Sequence, residues 1–332
     1  MKATIFRAGF LTTVQDLGRV GSREFGVSVG GALDHQALRV ANLLVGNDEG
    51  AAGLEITLTG PMIRFETDAL VALAGADLGA IVDGKRLPTW RSAWVPGGAT
   101  LAFDAPRAGC RAYLAIAGGV AVPPVLGSRS TFVRAGLGGL DGRALRRDDV
   151  LSCGEPSELA TCIAASLRRE DGRVAVASWG VGPSLRPAYS GAPVVRLVPG
   201  AHEQALSPTA RDRLYDTEFR ISSQSDRMGY RLEGPTLELA APLELLSEPV
   251  AFGTVQLPPG GSPIILMADR QTTGGYPRIG EVATVDLPLL AQLRPGDRVR
   301  FRAISLEEAQ RLYLVREQEI AQARQAIGLR HR

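Results

Sequence analysis

The chain predicts a mainly β fold with a few helices, built as barrels or sandwiches and closed by a C-terminal helix. Three observations carry this. Short apolar stretches of about 4–8 residues recur between turn signals, among them ALVALAG, RAYLAIAGG, PVVRLVPG, PIILMA and DRVRF. Glycine (39) and proline (21) are frequent enough to supply a turn at each break. Few segments support helices.

The first helix starts at Asp34, a good N-cap, and runs through HQALRVANLLV with Ala37, Leu38, Ala41, Leu44 and Val45 on one face; Gly46-Asn47 ends it. Further on, Gly79 to Lys85 (GAIVDGK) imitates part of a phosphate-binding loop. It lacks the following Ser or Thr and any helical pattern, so Asp83-Gly84 reads as a hairpin turn. A second helix starts at Ser207-Pro208, a cap followed by proline at the first helical position. The third follows the capping box Ser305-Leu306-Glu307-Glu308, with Ala309, Leu312, Tyr313, Ile320, Ala323 and Ile327 at helical spacing.

Two short resemblances within the chain suggest a duplication. Gly60 to Phe65 (GPMIRF) is like Gly234 to Leu239 (GPTLEL), and Leu145 to Leu151 (LRRDDVL) is like Leu293 to Phe301 (LRPGDRVRF). The charged segment Ser166 to Arg173 is the expected seam. Boundaries fall at 1–170 for a first domain, 171–303 for a second, and 304–332 for the terminal helix and tail.

At 332 residues the chain can bury a substantial core. A formal net charge of +2 supplies no global field for nucleic acid or an anionic membrane, so neither partner is expected. All basic residues but Lys2 and Lys85 are arginines, which offer forked donors for carboxylates and phosphates. Cys110, Cys153 and Cys162 have no CxxC spacing and leave an odd thiol in any disulfide scheme, which fits a reducing compartment. Arg7 interrupts what would be the apolar core of a signal peptide. The longest apolar run, LVALAGADLGAIV, holds Asp77 and is too short to span a bilayer. A cytoplasmic location is expected.

His35, His202 and His331 show no metal spacing, and no metal site is expected. His331 is read as terminal disorder. HExxH and GxGxxG patterns are missing from the sequence. What stands out is three polar loops. They are Thr12 to Arg19 (TTVQDLGR), Ser222 to Arg231 (SSQSDRMGYR) and Asp269 to Pro277 (DRQTTGGYP). Each has an Asp near an Arg, a Gln, neighbouring hydroxyls and a Gly. Singly, such Asp–Arg pairs staple loops. Converging, the groups would bind a small anionic, amide-bearing ligand: Arg on carboxylate or phosphate, Gln on an amide, and Gly-Gly amides as an anion nest.

These loops, with GGALDHQALRVANLLVGN, LEITLTGP, ILMADRQTTGGYPRIGEV and DLPLLAQLRPGDRVRF, resemble the family of the 5-oxoprolinase C subunit. That family is also described as allophanate-hydrolase-subunit-2-like, and it includes carboxyltransferase-like and Kip anti-inhibitor members. The resemblance runs from near residue 11 to about 301 and implies two cyclophilin-like β-barrel domains. It further implies one part of an ATP-dependent enzyme that opens 5-oxo-L-proline to L-glutamate. The partners would be a B subunit (KipI-like) and an A subunit (LamB/YcsF-like), with ATP and its Mg counter-ion. Under it Arg270, Asp269, Gln271, Arg227 and His202 are the catalytic candidates. Gln15, Asp16, Arg19, Asp34, Gln224, Ser225, Asp226, Thr272, Thr273, Gly274, Gly275 and Tyr276 are the binding candidates. Ala201 stands where family members often have proline, just before His202. Two alternatives come with the family. One is a biotin-dependent carboxyltransferase component acting on urea or another amide, with biotin as cofactor. The other is a non-catalytic regulator binding a kinase-inhibitor-like B partner.

Overall fold

Strand Ala69–Asp77 is buried along eight of its nine residues, and that pattern explains the layering around it. Val71 and Leu73 point into a core shared by two sheets. Leu70, Ala72 and Ala74 are buried on the opposite face, where helix α1 (His35–Leu44) packs. A strand covered on both faces reads as a continuous apolar run, which is what ALVALAG is. The structure is a computed structural model and describes residues 1–331.

The chain divides into two compact units. The first holds Met1–Arg19, Asp34–Pro187 and Gln318–Arg332; the second holds Val20–Leu33 and Ala188–Glu317. The fold is mainly β, with five α-helices among the described residues.

Two six-stranded sheets build the first unit. One runs Val150–Ser152, Lys2–Arg7, Met62–Phe65, Thr100–Phe103, Ala80–Val82, Lys85–Arg86. The other runs Ala175–Val176, Arg91–Val95, Ala69–Asp77, Ala108–Ile116, Gly53–Thr57, Leu11–Gln15. Asp83-Gly84 is the expected hairpin: Ala80–Val82 pairs antiparallel with Lys85–Arg86, and both turn residues take positive φ (48° and 78°).

The second unit is a closed seven-stranded barrel: Val194–Pro199, Arg278–Val282, Thr254–Gln256, Ile264–Leu266, Gly229–Glu233, Phe219–Ile221, Arg298–Ala303. Val194–Pro199 and Arg298–Ala303 close it with a parallel pairing. Leu197, Phe219, Ile265, Ile279 and Phe301 fill its core, joined by Leu33 from the segment 20–33.

The three expected helices form with their caps. Asp34 Oδ1 accepts from Ala37 N at 2.8 Å at the head of α1. Ser207 Oγ accepts from Ala210 N ahead of Pro208–Asp216, and Ser305 Oγ accepts from Glu308 N ahead of Leu306–Arg330. The capping box at Ser305 is half made, because the Glu308 carboxylate turns to Arg311 instead of reaching back. Two further helices, Glu158–Leu167 and Leu287–Ala291, go unread in the sequence, although Ser157 Oγ caps the first by accepting from Ala160 N and Pro288 stands in the first turn of the second. The first, ELATCIAASL, packs through a narrow stripe, with Ala160 and Ile163 buried and Ala164 and Leu167 half-buried beside them. In order along the chain the five are α1, α2 (Glu158–Leu167), α3 (Pro208–Asp216), α4 (Leu287–Ala291) and α5 (Leu306–Arg330). His331, expected as disordered tail, instead stacks obliquely on Trp179 with ring centroids 5.4 Å apart. Among the described residues no helix is long and apolar enough to cross a membrane.

Of the two internal resemblances, one is structural. Asp149 Oδ2 accepts from Arg146 N at 2.7 Å, and Asp297 Oδ2 accepts from Arg294 N at 2.8 Å; Asp148 and Gly296 between them both take positive φ. The same turn therefore feeds an edge strand in the first unit and a barrel strand in the second. The other match fails: Met62–Phe65 is a strand, whereas Thr236 to Leu239 is irregular apart from a single bridge at Leu239.

Candidate functional site

The second and third polar loops meet in the barrel unit. Arg227 grips Asp269 with two prongs, Nε to Oδ2 and Nη2 to Oδ1, each 2.9 Å, and both side chains are buried. Backbone bonds from Asp269 N to Arg227 O and from Met267 N to Met228 O lock the loops together. The segment 20–33 closes over them: Arg227 Nη2 donates to Gly31 O at 2.6 Å, and Ser28 Oγ donates to Arg270 O.

Arg270 differs from its neighbour. It is 8% exposed, yet among the described residues no carboxylate lies within ion-pair distance of it. Its hydrogen bonds are long ones to backbone carbonyls, at 3.5 Å to Val250, 3.3 Å to Met267 and 3.5 Å to Ala268. Its guanidinium carbon stands 5.8 Å from the Phe252 ring centroid. Burial first, and then the charge of Arg23, push the Arg270 guanidinium down to about 10.

Beyond Arg270 the chain is not a free loop. Thr273–Gly274 pairs antiparallel with Glu248–Pro249, and neither Gly274 nor Gly275 takes the left-handed conformation of an anion nest. The expected Gly-Gly nest is therefore absent, because the ladder holds this backbone extended. A Cβ on Gly274 would stand 2.5 Å from Gln256 Nε2, so glycine here makes room for an amide. Gln256 donates to Tyr276 O and accepts from Gln271 Nε2, each at 3.4 Å, which leaves Gln271 exposed with slack bonding. Thr272 is half-buried and Thr273 exposed. Tyr276, 46% exposed, lines an open apolar groove of about 680 Å³ with Leu237, Leu239, Leu243, Leu257 and Pro258.

Three residues here were not singled out in the sequence. Thr254 and Glu281 sit opposite each other in the barrel, and the threonine hydroxyl lies 3.0 and 2.8 Å from the two Glu281 oxygens. Burial raises the Glu281 carboxyl, against the pull of Thr254, Arg278 and Arg270. Gln256, on the same strand as Thr254, is the third. Strand register assembles them, and no spacing within RIGEV or TVQ announces it.

The other candidates fall into four settings. His202 stitches a turn to the barrel: its N–H donates to Arg278 O at 3.0 Å, and its Nδ1 accepts from Arg278 N at 3.1 Å. In the second loop Asp226 Oδ1 accepts from Met228 N, Ser225 Oγ accepts from Arg231 N, and Gln224 projects exposed. The first loop lies in the other unit and bonds mainly within it, although Gln15 Oε1 is buried without a hydrogen-bond partner among the described residues. Asp16 accepts from Ser128 Oγ, Ser130 Oγ, Gly18 N and Arg129 N, at 2.5–2.8 Å. Gln15 donates to Thr13 Oγ1 and Thr131 O, and the fully buried Arg19 donates to Ser130 O.

Asp34, beside its capping bond, donates its N–H to Tyr113 Oη, and Tyr113 donates to Glu55 Oε2, both at 2.8 Å. Tyr113 and Glu55 are direct cross-strand partners. Burial, then Glu55 and Asp34, hold the phenol well above its ordinary value. Among the described residues no group of three or more His, Cys, Asp or Glu could hold a metal ion.

Comparison with known proteins supplies the context for this geometry. The model of the family described as carboxyltransferase domain, subdomain A and B, matches residues 25–303. The chain is 43% identical to the C subunit of 5-oxoprolinase from Escherichia coli (strain K12), over 92% of each chain. It is 39% identical to the Haemophilus influenzae protein of the same name, over 95% of each. The solved structure of the K. lactis urea amidolyase matches with a TM-score of 0.86 at 28% identity, covering 97% of this chain. The chain spans only 20% of that longer protein.

Proposed function

Because this chain belongs to the family of the 5-oxoprolinase C subunit, within the carboxyltransferase-domain family, we propose that it is one part of an enzyme opening 5-oxo-L-proline to L-glutamate with ATP hydrolysis. The A and B subunits make up the rest of the enzyme. The observation that supports a ligand site in this chain is Arg270, a buried guanidinium with no carboxylate partner among the described residues, beside the loosely bonded amides of Gln256 and Gln271.

The chemistry asks for charge neutralisation and positioning. Transfer of the γ-phosphoryl group to the lactam oxygen releases ADP and makes the ring carbon electrophilic. Water adds there, the ring C–N bond breaks, and a second water hydrolyses the resulting acyl phosphate to glutamate and phosphate. Phosphoryl transfer is helped chiefly by fixed cations and donors. Arg270 supplies the cation, and Gln271 with Gln256 matches the donor and acceptor of a lactam. Thr272 and Thr273 offer hydroxyls, and Tyr276 bounds the groove. Arg227 and Asp269 act through the loop they lock, as positioning residues. Magnesium would travel on the nucleotide phosphates. Gln15, Asp16, Arg19 and Asp34 are assigned to the frame of the first unit, since each already bonds within it.

The test combines the three purified subunits with 5-oxo-L-proline and ATP and follows glutamate. Omitting this chain, or substituting Arg270→Lys or Gln271→Ala with the fold intact by circular dichroism, abolishes turnover. Undiminished glutamate production without the chain ends the proposal. The match to urea amidolyase favours a second reading, carboxyl transfer from biotin to an amide at the same loop. Turnover requiring a biotinylated carrier instead of the A and B subunits would establish it.

A further inference from the structure

We propose that Arg23 and Arg270 form a two-guanidinium clamp for an oxyanion, with Arg23 the arm that no loop motif announces. Arg23 opens the short 3-10 turn Arg23–Phe25 in the segment 20–33. Both side chains address one carbonyl: Arg23 Nη2 lies 2.6 Å from Val250 O, and Arg270 Nε lies 3.5 Å from it. Arg23 Nη2 also lies 3.4 Å from Thr272 O. Ser28, on the same segment, holds the Arg270 carbonyl, so the segment fixes both cations.

Two like charges are thus placed together, and among the described residues neither has a carboxylate within ion-pair distance. Their neighbours do. Arg227 has Asp269, Arg278 has Glu248 and Arg196 has Asp286. Glu281 and Asp269 act on Arg270 only from beyond ion-pair distance, so the half-buried pair of cations is incompletely compensated, which is costly unless something outside the fold supplies the rest. The Nη2 of Arg270, and the Nε and Nη1 of Arg23, make no hydrogen bond within the described residues. These free forked donors match the oxygens of a carboxylate or a phosphoryl group. The cations repel each other, in line with the depressed Arg270 guanidinium, and a bound oxyanion removes that repulsion. Which oxyanion occupies the clamp, the carboxylate of a substrate or a phosphoryl group, rests on the function proposed above; the clamp itself does not.

The experiment measures binding to the whole chain alone, by calorimetry and thermal shift at constant ionic strength, with inorganic phosphate and with acetate. The wild type is expected to bind and to gain melting temperature. Arg23→Gln is expected to bind about 10- to 100-fold more weakly, the loss of one charge-assisted contact. Arg23→Lys should recover part of that loss. Without added anion, Arg23→Gln should melt no lower than wild type, since it relieves repulsion; a purely structural arginine would show the opposite. Preference for phosphate identifies a phosphoryl group, and preference for acetate a carboxylate. Absence of binding by the wild type, or unchanged binding by Arg23→Gln, overturns the clamp even where glutamate production stands. A working clamp in a chain that never supports glutamate production instead overturns the function proposed above.

Discussion

Arg227 and Asp269, 42 residues apart, form a buried two-pronged ion pair that holds two loops of the barrel unit as one body. Such a pair stabilises less than it constrains, because taking both charges from water offsets most of their attraction. Removing one partner is another matter. Arg227→Ala or Asp269→Ala leaves a buried charge alone and should cost about 3–5 kcal/mol in denaturant unfolding. The double change Arg227→Met with Asp269→Leu should recover much of that loss while abolishing turnover. Single variants as stable as wild type would show the pair to be slack.

Glu281 predicts a pH dependence. Burial raises its carboxyl above the ordinary 4.5, so the fold favours the neutral form. The stability tied to this group is complete below the ordinary value and is lost as pH rises through the raised one. Glu281→Gln keeps the shape and a bond to Thr254 without the charge. Its melting temperature relative to wild type should rise as the pH climbs from the ordinary carboxylate range through the raised value. A difference that stays flat with pH would mean Glu281 ionises in the fold as it does in water.

The three cysteines should differ in reactivity. Burial pushes the Cys153 thiol up to about 11, Cys110 is buried and Cys162 is exposed on α2. Thiolate is the reacting form, so iodoacetamide at about pH 8 should modify Cys162 well ahead of the other two, read by peptide mass spectrometry. Equal labelling of Cys153 would show its strand edge to be open.

Gly296 isolates a backbone effect. It takes φ of +94° with nothing within 4 Å of an added Cβ, so Gly296→Ala meets no clash. The left-handed conformation alone should cost about 1 kcal/mol, measured by chemical denaturation. A neutral result would mean the turn relaxes, as its counterpart at Asp148 accommodates a side chain.

What the sequence shows of this fold is its local chemistry. Asp34, Ser207 and Ser305 mark helix starts because a cap is a contact between residues three apart, and Asp83-Gly84 marks a hairpin because the turn is made by those two residues. The Asp269 to Pro277 stretch is visible as unusual for the same reason. Contacts made by register and long closure stay hidden. Glu281 faces Thr254, and Tyr113 faces Glu55, through strand pairing that neither stretch displays. Arg23 reaches Val250 across most of the length of the chain. The Gly-Gly nest does not form because the pairing partner, Glu248–Pro249, lies in a segment with no strand signature to warn of it.

The barrel unit borrows residues 20–33 from the start of the polypeptide, with Arg23, Ser28, Gly31 and Leu33 among them. On the ribosome that strip emerges well before the rest of its barrel and must wait, unpartnered, until the chain beyond Arg270 has been made. A fragment cut to 188–317 would be born with its loops unlatched. Anyone dissecting this protein for biophysics should therefore graft the early strip back onto the late barrel before concluding that the barrel cannot stand alone.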